Sequence, residues 1–132
     1  MPPRRRIDSA AGAAAVRAWL DARASAGAPD RPTLATAVRW TLELLAEAVP
    51  GRSVEVRVPP FGVAQCVPGP RHTRGTPPNV VETDAATWLA LVTGQLSWPE
   101  AVAGGRVAAS GERADLGRWL PLVDDAVGTV GS

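Results

Sequence analysis

The sequence predicts one domain in which helices cover a short β-sheet; its 132 residues suit a single core. Three observations carry this expectation. Apolar residues recur at spacings of three and four on both flanks of the chain, the period of an amphipathic helix. Between the flanks, "SVEVRV" (53–58) alternates strictly, as a half-buried strand does. Glycine and proline mark the joins at Gly27–Pro32, Pro50-Gly51, Pro59-Pro60 and Gly104-Gly105.

Taken in order, residues 1–7 read as a loose basic arm, and Asp8 or Ser9 can cap a first helix running to about Ala24. Val16, Trp19, Leu20 and Arg23 give it one narrow face, and Arg17 and Asp21 can pair outside. The linker "GAPDRP" (27–32) then makes this helix an appendage rather than core. Thr33 is the expected cap of a stronger helix that ends near Val49. Leu34, Val38, Leu42, Leu45 and Val49 form its stripe, Trp40 and Leu44 widen it, and Arg39, Glu43 and Glu47 face solvent. It should lie flat on the sheet.

The sheet opens with Val54, Val56 and Val58 on one face and Glu55 and Arg57 on the other. "FGVAQCV" (61–67) is a second strand, with Phe61, Val63 and Val67 expected on one face. "PGPRHTRGTPP" (68–78) is a long loop whose prolines forbid regular pairing, and "NVVET" (79–83) is a third strand. Thr83 or Asp84 caps a helix through Val92 or Thr93, stopped at Gly94. Ser97-Trp98-Pro99-Glu100 has capping-box spacing and starts a short helix ending at Gly104-Gly105. "RVAAS" (106–110) is a fourth strand, and "ADLGRWLPL" (114–122) is expected to form a last short helix.

Composition narrows function. The net charge of +1 argues against a dedicated nucleic-acid binder, which needs a basic excess. All 14 basic residues are arginine, which reads as coding bias. Cys66 is the only cysteine, so no internal disulfide or Cys-rich zinc site can form, and the expected setting is reducing and cytoplasmic. The start of the chain does not read as a signal peptide, and nothing reaches the roughly 20 apolar residues of a spanning helix. One histidine and one cysteine are too few for a metal site, so no metal and no cofactor are expected. No serine lies in a G-x-S-x-G elbow, Gly104-Gly105 precedes a strand rather than a helix, and no acid–base pair is positioned; the chain does not read as an enzyme.

Two groups of residues remain. Arg71, His72 and Arg74 share the long loop and could clamp an anion, although a solvated loop explains them equally. Trp19, Trp40, Trp88, Trp98 and Trp119 all fall on expected helices. They either fill a core or line a cavity between helices and sheet.

The segment "DAATWLALVTGQLSWPEAVAGGRVAASGERADLGRWLPL" (84–122) resembles the C-terminal half of the sterol carrier protein family, in a compact bacterial branch. An acidic start, a W-L-A-L-V-T-G helix, a second helix and a G-G-R-V-x-x-S-G strand entry carry the likeness. "VRVPPFGVAQCVPGPRHTRGTPPNVVETD" is similar to the same branch. The resemblance implies an α+β fold: a mostly antiparallel sheet of about five strands, covered by helices over an apolar cavity. Here it would comprise residues 31–125, after an N-terminal arm and helix (1–30) and before a flexible tail (126–132). It implies a non-catalytic carrier of lipids or other apolar small molecules, with transient membrane-surface contact. Trp40, Leu44, Trp88, Leu91, Val92, Val102 and Trp119 are the expected lining, and Arg71, His72 and Arg74 the headgroup contacts. The alternatives are an interaction module with a filled core that could form a homodimer through helix one, and an accessory domain of an enzyme.

Overall fold

The computed structural model describes residues 7–69 and 79–124. Its elements are α1 (Ser9–Ala24), α2 (Arg31–Ala48), β1 (Val54–Val58), β2 (Gly62–Cys66), β3 (Asn79–Thr83), α3 (Ala85–Val92), α4 (Trp98–Ala103) and β4 (Val107–Ser110). The α+β class is as expected, but among the described residues the sheet has four strands rather than five, in the order β2-β1-β3-β4. β1 pairs with β2 antiparallel and with β3 parallel, and β3 pairs with β4 antiparallel. β1 is therefore interior, and its Val54, Val56 and Val58 are fully buried. Each such side chain contributes about 1.5–3 kcal/mol through removal from water. Glu55 and Arg57 face the other way and pair with each other.

The helix starts follow local chemistry. Asp8 caps α1 by accepting the Ala11 N–H at 3.1 Å. α2 is capped by Asp30 rather than Thr33: the Asp30 carboxylate accepts the Thr33 N–H at 2.8 Å, and Pro32 fits the first turn, where its missing N–H costs nothing. The Thr33 hydroxyl and N–H hold Asp30 below the ordinary carboxylate value. Asp84 caps α3 through the Thr87 N–H at 2.7 Å. Ser97 and Glu100 form the capping box of α4, and the Ser97 hydroxyl and N–H lower the Glu100 carboxyl.

The first helix is not an appendage. Val16 and Trp19 are buried in the same core as α2 and the sheet. The contact is close because of Gly12, where a Cβ would sit 2.1 Å from Cγ of Trp40. α3 is joined to α2 by a polar bond inside the core. The fully buried Trp88 Nε1 donates to Thr41 Oγ1 at 2.9 Å, which satisfies the indole N–H.

Two further expectations are corrected. Residues 114–122 form turns and extended chain, not a helix. Gly117 and Pro121 interrupt any helical ladder there, and the Leu122 and Val123 N–H groups instead donate to Val92 O at 2.9 and 3.0 Å. This segment still closes the core with Leu116, Leu122 and Val123. In β2 the inward residues are Gly62, Ala64 and Cys66, opposite Val58, Val56 and Val54, whereas Val63 points outward and is 64% exposed. Small residues face inward because α2 passes directly over them; a Cβ on Gly62 would lie 3.3 Å from Leu42 Cδ1.

Asn79 at the head of β3 ties three segments together. Its Nδ2 donates to Ser53 O at 2.7 Å and its Oδ1 accepts the Arg113 N–H at 2.8 Å, both around a buried side chain. Asn79→Ala leaves both partners unsatisfied and should lower unfolding stability by about 1–3 kcal/mol, read by urea titration. Gly12→Ala should also destabilise, by about 1–3 kcal/mol, even though alanine is the better helix former, because the added methyl overlaps the Trp40 ring. A neutral or raised thermal midpoint for Gly12→Ala would show that the α1–α2 contact is loose.

Candidate functional site: a groove between α2 and β2

A groove of about 1290 Å³ runs between α2 and β2. One wall is a ridge of α2 made by Thr36, Arg39, Leu42, Glu43 and Ala46, residues three or four apart and so on one helix face. The other wall is the consecutive run Phe61, Gly62, Val63, Ala64 and Gln65. Successive strand residues point to opposite faces, so a groove that touches all five follows the free edge of β2. Pro50, Gly51, Arg52, Pro68 and Gly69 line the end beyond α2, and Ile7 also borders the groove.

The polar groups of the groove are partly fixed. Arg39 Nε donates to Phe61 O at 2.8 Å, which anchors the guanidinium at the hairpin end of β2. Arg31 lies over the Phe61 ring, 5.4 Å from its centre. The Glu43 carboxylate accepts the Ile7 N–H at 3.2 and 3.4 Å, tying the entry of α1 to α2. Arg52 is exposed at the end beyond α2.

That end also holds the most constrained backbone of the site. Val67 has φ 68 and Gly51 has φ 154. A Cβ at Gly51 would lie 2.1 Å from Val67 O, so glycine is required for close approach as well as for conformation. The Ser53 N–H and hydroxyl both donate to Val67 O, at 3.1 and 2.7 Å, and the Val67 N–H donates to Val49 O at 2.8 Å. These bonds hold a β-branched residue in a region it rarely visits.

None of the seven apolar residues expected to line a cavity lines this groove. Trp40, Leu44, Trp88, Leu91 and Val92 are buried in the continuous core, Trp119 is partly buried against it, and Val102 is 47% exposed on α4. Two buried polar atoms among them and their neighbours, Trp40 Nε1 and Thr87 Oγ1, have no hydrogen-bond partner. Arg71, His72 and Arg74 lie outside the described residues. Sequence reasoning missed the groove because its walls are a helix face assigned to solvent and a strand of small residues. The signal available was the glycine and alanine at alternate positions of β2.

Cys66 is buried at the inner face of β2, and burial pushes its thiol up to about 12. A thiol with a raised value stays protonated, and so inert, at every pH below it. Native protein at pH 8 should resist iodoacetamide and react only once denatured; rapid native alkylation would show that the core beneath the groove opens.

Among the described residues no group of three metal-ligating side chains occurs, and no helix is long and apolar enough to cross a membrane. The profile of the bacterial SCP-ortholog family matches residues 30–122, which covers the whole fold from α2 to the closing segment. The chain belongs to this sterol carrier protein family. α1 lies outside the matched residues although it shares the core. No curated protein sequence matches the chain.

Proposed function

We propose that this protein binds and carries an amphipathic, lipid-type small molecule, without catalysis, in the groove between α2 and β2. One observation supports the reading best: in a chain of the sterol carrier family, an open cleft of about 1290 Å³ presents apolar side chains and charged groups side by side, as an amphipathic ligand requires. Clefts that bury most of a small ligand are typically about 300–1,000 Å³, so this one can hold a chain-like molecule with room for water. Leu42, Ala46, Phe61, Val63 and Ile7 supply the apolar surface, and Arg39 and Arg52 the charge. The described lining has no cysteine, serine or histidine, and its ionisable side chains are Arg39, Glu43 and Arg52, so binding fits it better than acid–base or nucleophilic chemistry.

Arg71, His72 and Arg74 follow Gly69, a lining residue, in the chain and remain our candidate headgroup contacts. A cytoplasmic location, with brief contact at a membrane surface to load and unload, completes the proposal.

Native mass spectrometry of the protein as purified should show an adduct of fatty-acid or lipid mass that solvent extraction removes. Ala46→Trp, which places a large ring in the groove from a partly exposed position, should weaken binding of added fatty acid at least about tenfold without changing the circular dichroism spectrum. An unliganded mass together with no binding of fatty acids or sterols would end the carrier reading. Undiminished binding by Ala46→Trp would move the site out of the groove.

A further inference from the structure

The strand wall of the groove has a property that a hydrocarbon ligand alone does not match. Val58 pairs with Gly62, and because Pro59 has no N–H that pair can only be one that exchanges its own backbone hydrogen bonds. The antiparallel alternation then makes Val56–Ala64 and Val54–Cys66 the other bonded pairs of the β1–β2 ladder. The backbone N–H and C=O groups of Val63 and Gln65 therefore point away from β1, toward the free edge, on the side where Arg39 takes the Phe61 carbonyl. Among the described residues β2 is an outer strand, and the groove runs along that edge. An acyl chain laid over it would bury these donors and acceptors without partners, at a cost comparable to the hydrogen bonds lost from water.

The two walls are also matched in length. Thr36 to Ala46 on α2 spans about 15 Å at the helical rise, and the Phe61–Gln65 edge spans about 13 Å at the strand rise. An extended chain lying between them would meet Leu42 and Ala46 beside the polar Thr36, Arg39 and Glu43 on one side and peptide groups on the other. Charge completes the pattern. The groove has two guanidinium groups, Arg39 and Arg52, and one carboxylate, Glu43, which already accepts the Ile7 N–H.

We infer that the groove takes an acyl chain joined through a secondary amide to a carboxylate, the chemistry of an N-acyl amino acid or of an acylated acidic peptide end. The amide pairs with the β2 edge at Val63 or Gln65, the acyl chain lies on Leu42 and Ala46, and the carboxylate meets Arg52. This inference rests on the small-molecule reading of the same groove and specifies its ligand.

The test is calorimetric titration of the full chain with N-decanoylglycine, N-decanoylsarcosine and decanoic acid. The first two differ by a methyl group that replaces the amide hydrogen. N-decanoylglycine should bind about fivefold or more tightly than the sarcosine derivative, the worth of one hydrogen bond, and should shift the Val63 or Gln65 amide resonance. Arg52→Ala should lower its affinity about fivefold at an unchanged thermal midpoint, since Arg52 is exposed. Equal affinity for the glycine and sarcosine derivatives, or a preference with Val63 and Gln65 unmoved, overturns the inference. If decanoic acid binds as well as either amide, the carrier reading stands and this inference falls. If none of the three binds, both fall. An acylated peptide binding at least tenfold more tightly than N-decanoylglycine would identify the peptide end as the source of the amide.

Discussion

The packing of α2 is the constraint on which the rest of this fold depends. The helix is covered on several sides: Trp40 presses on Gly12 of α1, Leu42 passes over Gly62 of β2, and Thr41 receives the indole N–H of Trp88 from α3. A helix held this way has little freedom to rotate, because a turn of even part of one residue would drive an aromatic ring into backbone. The Thr41 hydroxyl also lies within reach of its own helix carbonyls at Ala37 and Val38, so a single buried oxygen joins two helices without leaving a polar group unmatched.

That tight seating generates the groove. Gly62 and Ala64 let α2 approach the inner face of β2, and the helix then runs beside the strand edge rather than above the sheet centre. One face of α2 thereby serves two purposes along its length. Leu45, Val38 and Leu42 seal the core, while Thr36, Arg39, Glu43 and Ala46, a quarter-turn away, line the cleft. The strained Val67 and the obligatory Gly51 fix the backbone at the end of the cleft beyond α2. The sheet's opposite face carries Gln65, Glu82 and Ser110 in the open, which leaves the cleft as the concave surface where helix and strand meet.

Much of this architecture was legible in the residues, and the parts that were not share a cause. Strong periodicity gave α2 and β1, because a stripe of leucines or three alternating valines has one burial solution. The caps of α3 and α4 were legible because Asp84 and the Ser97–Glu100 pair act within one turn of themselves. The phase of β2 was not: Phe61 and Val63 are the larger side chains, yet the glycine and alanine face the core, since what fits there is decided by the neighbour Leu42. The same rule hid the groove. Large apolar side chains such as Trp88 and Leu91 were natural cavity candidates by size, but size is also what fills a core. The segment 114–122 looked helical from its leucines, and Gly117 and Pro121 together with the free Val92 carbonyl overruled that local preference.

An unpaired strand edge invites other chains to add to it, and among the described residues β2 is such an edge. Its length is limited on both sides by proline, with Pro59-Pro60 before Gly62 and Pro68 just after Val67. Proline cannot donate to a growing ladder, so any strand recruited by this edge would be confined to about five residues. Arg39 takes the carbonyl of Phe61 and so removes one acceptor at the hairpin end. The protein can thus keep a short edge open without offering the long, flat template from which cross-β stacking propagates.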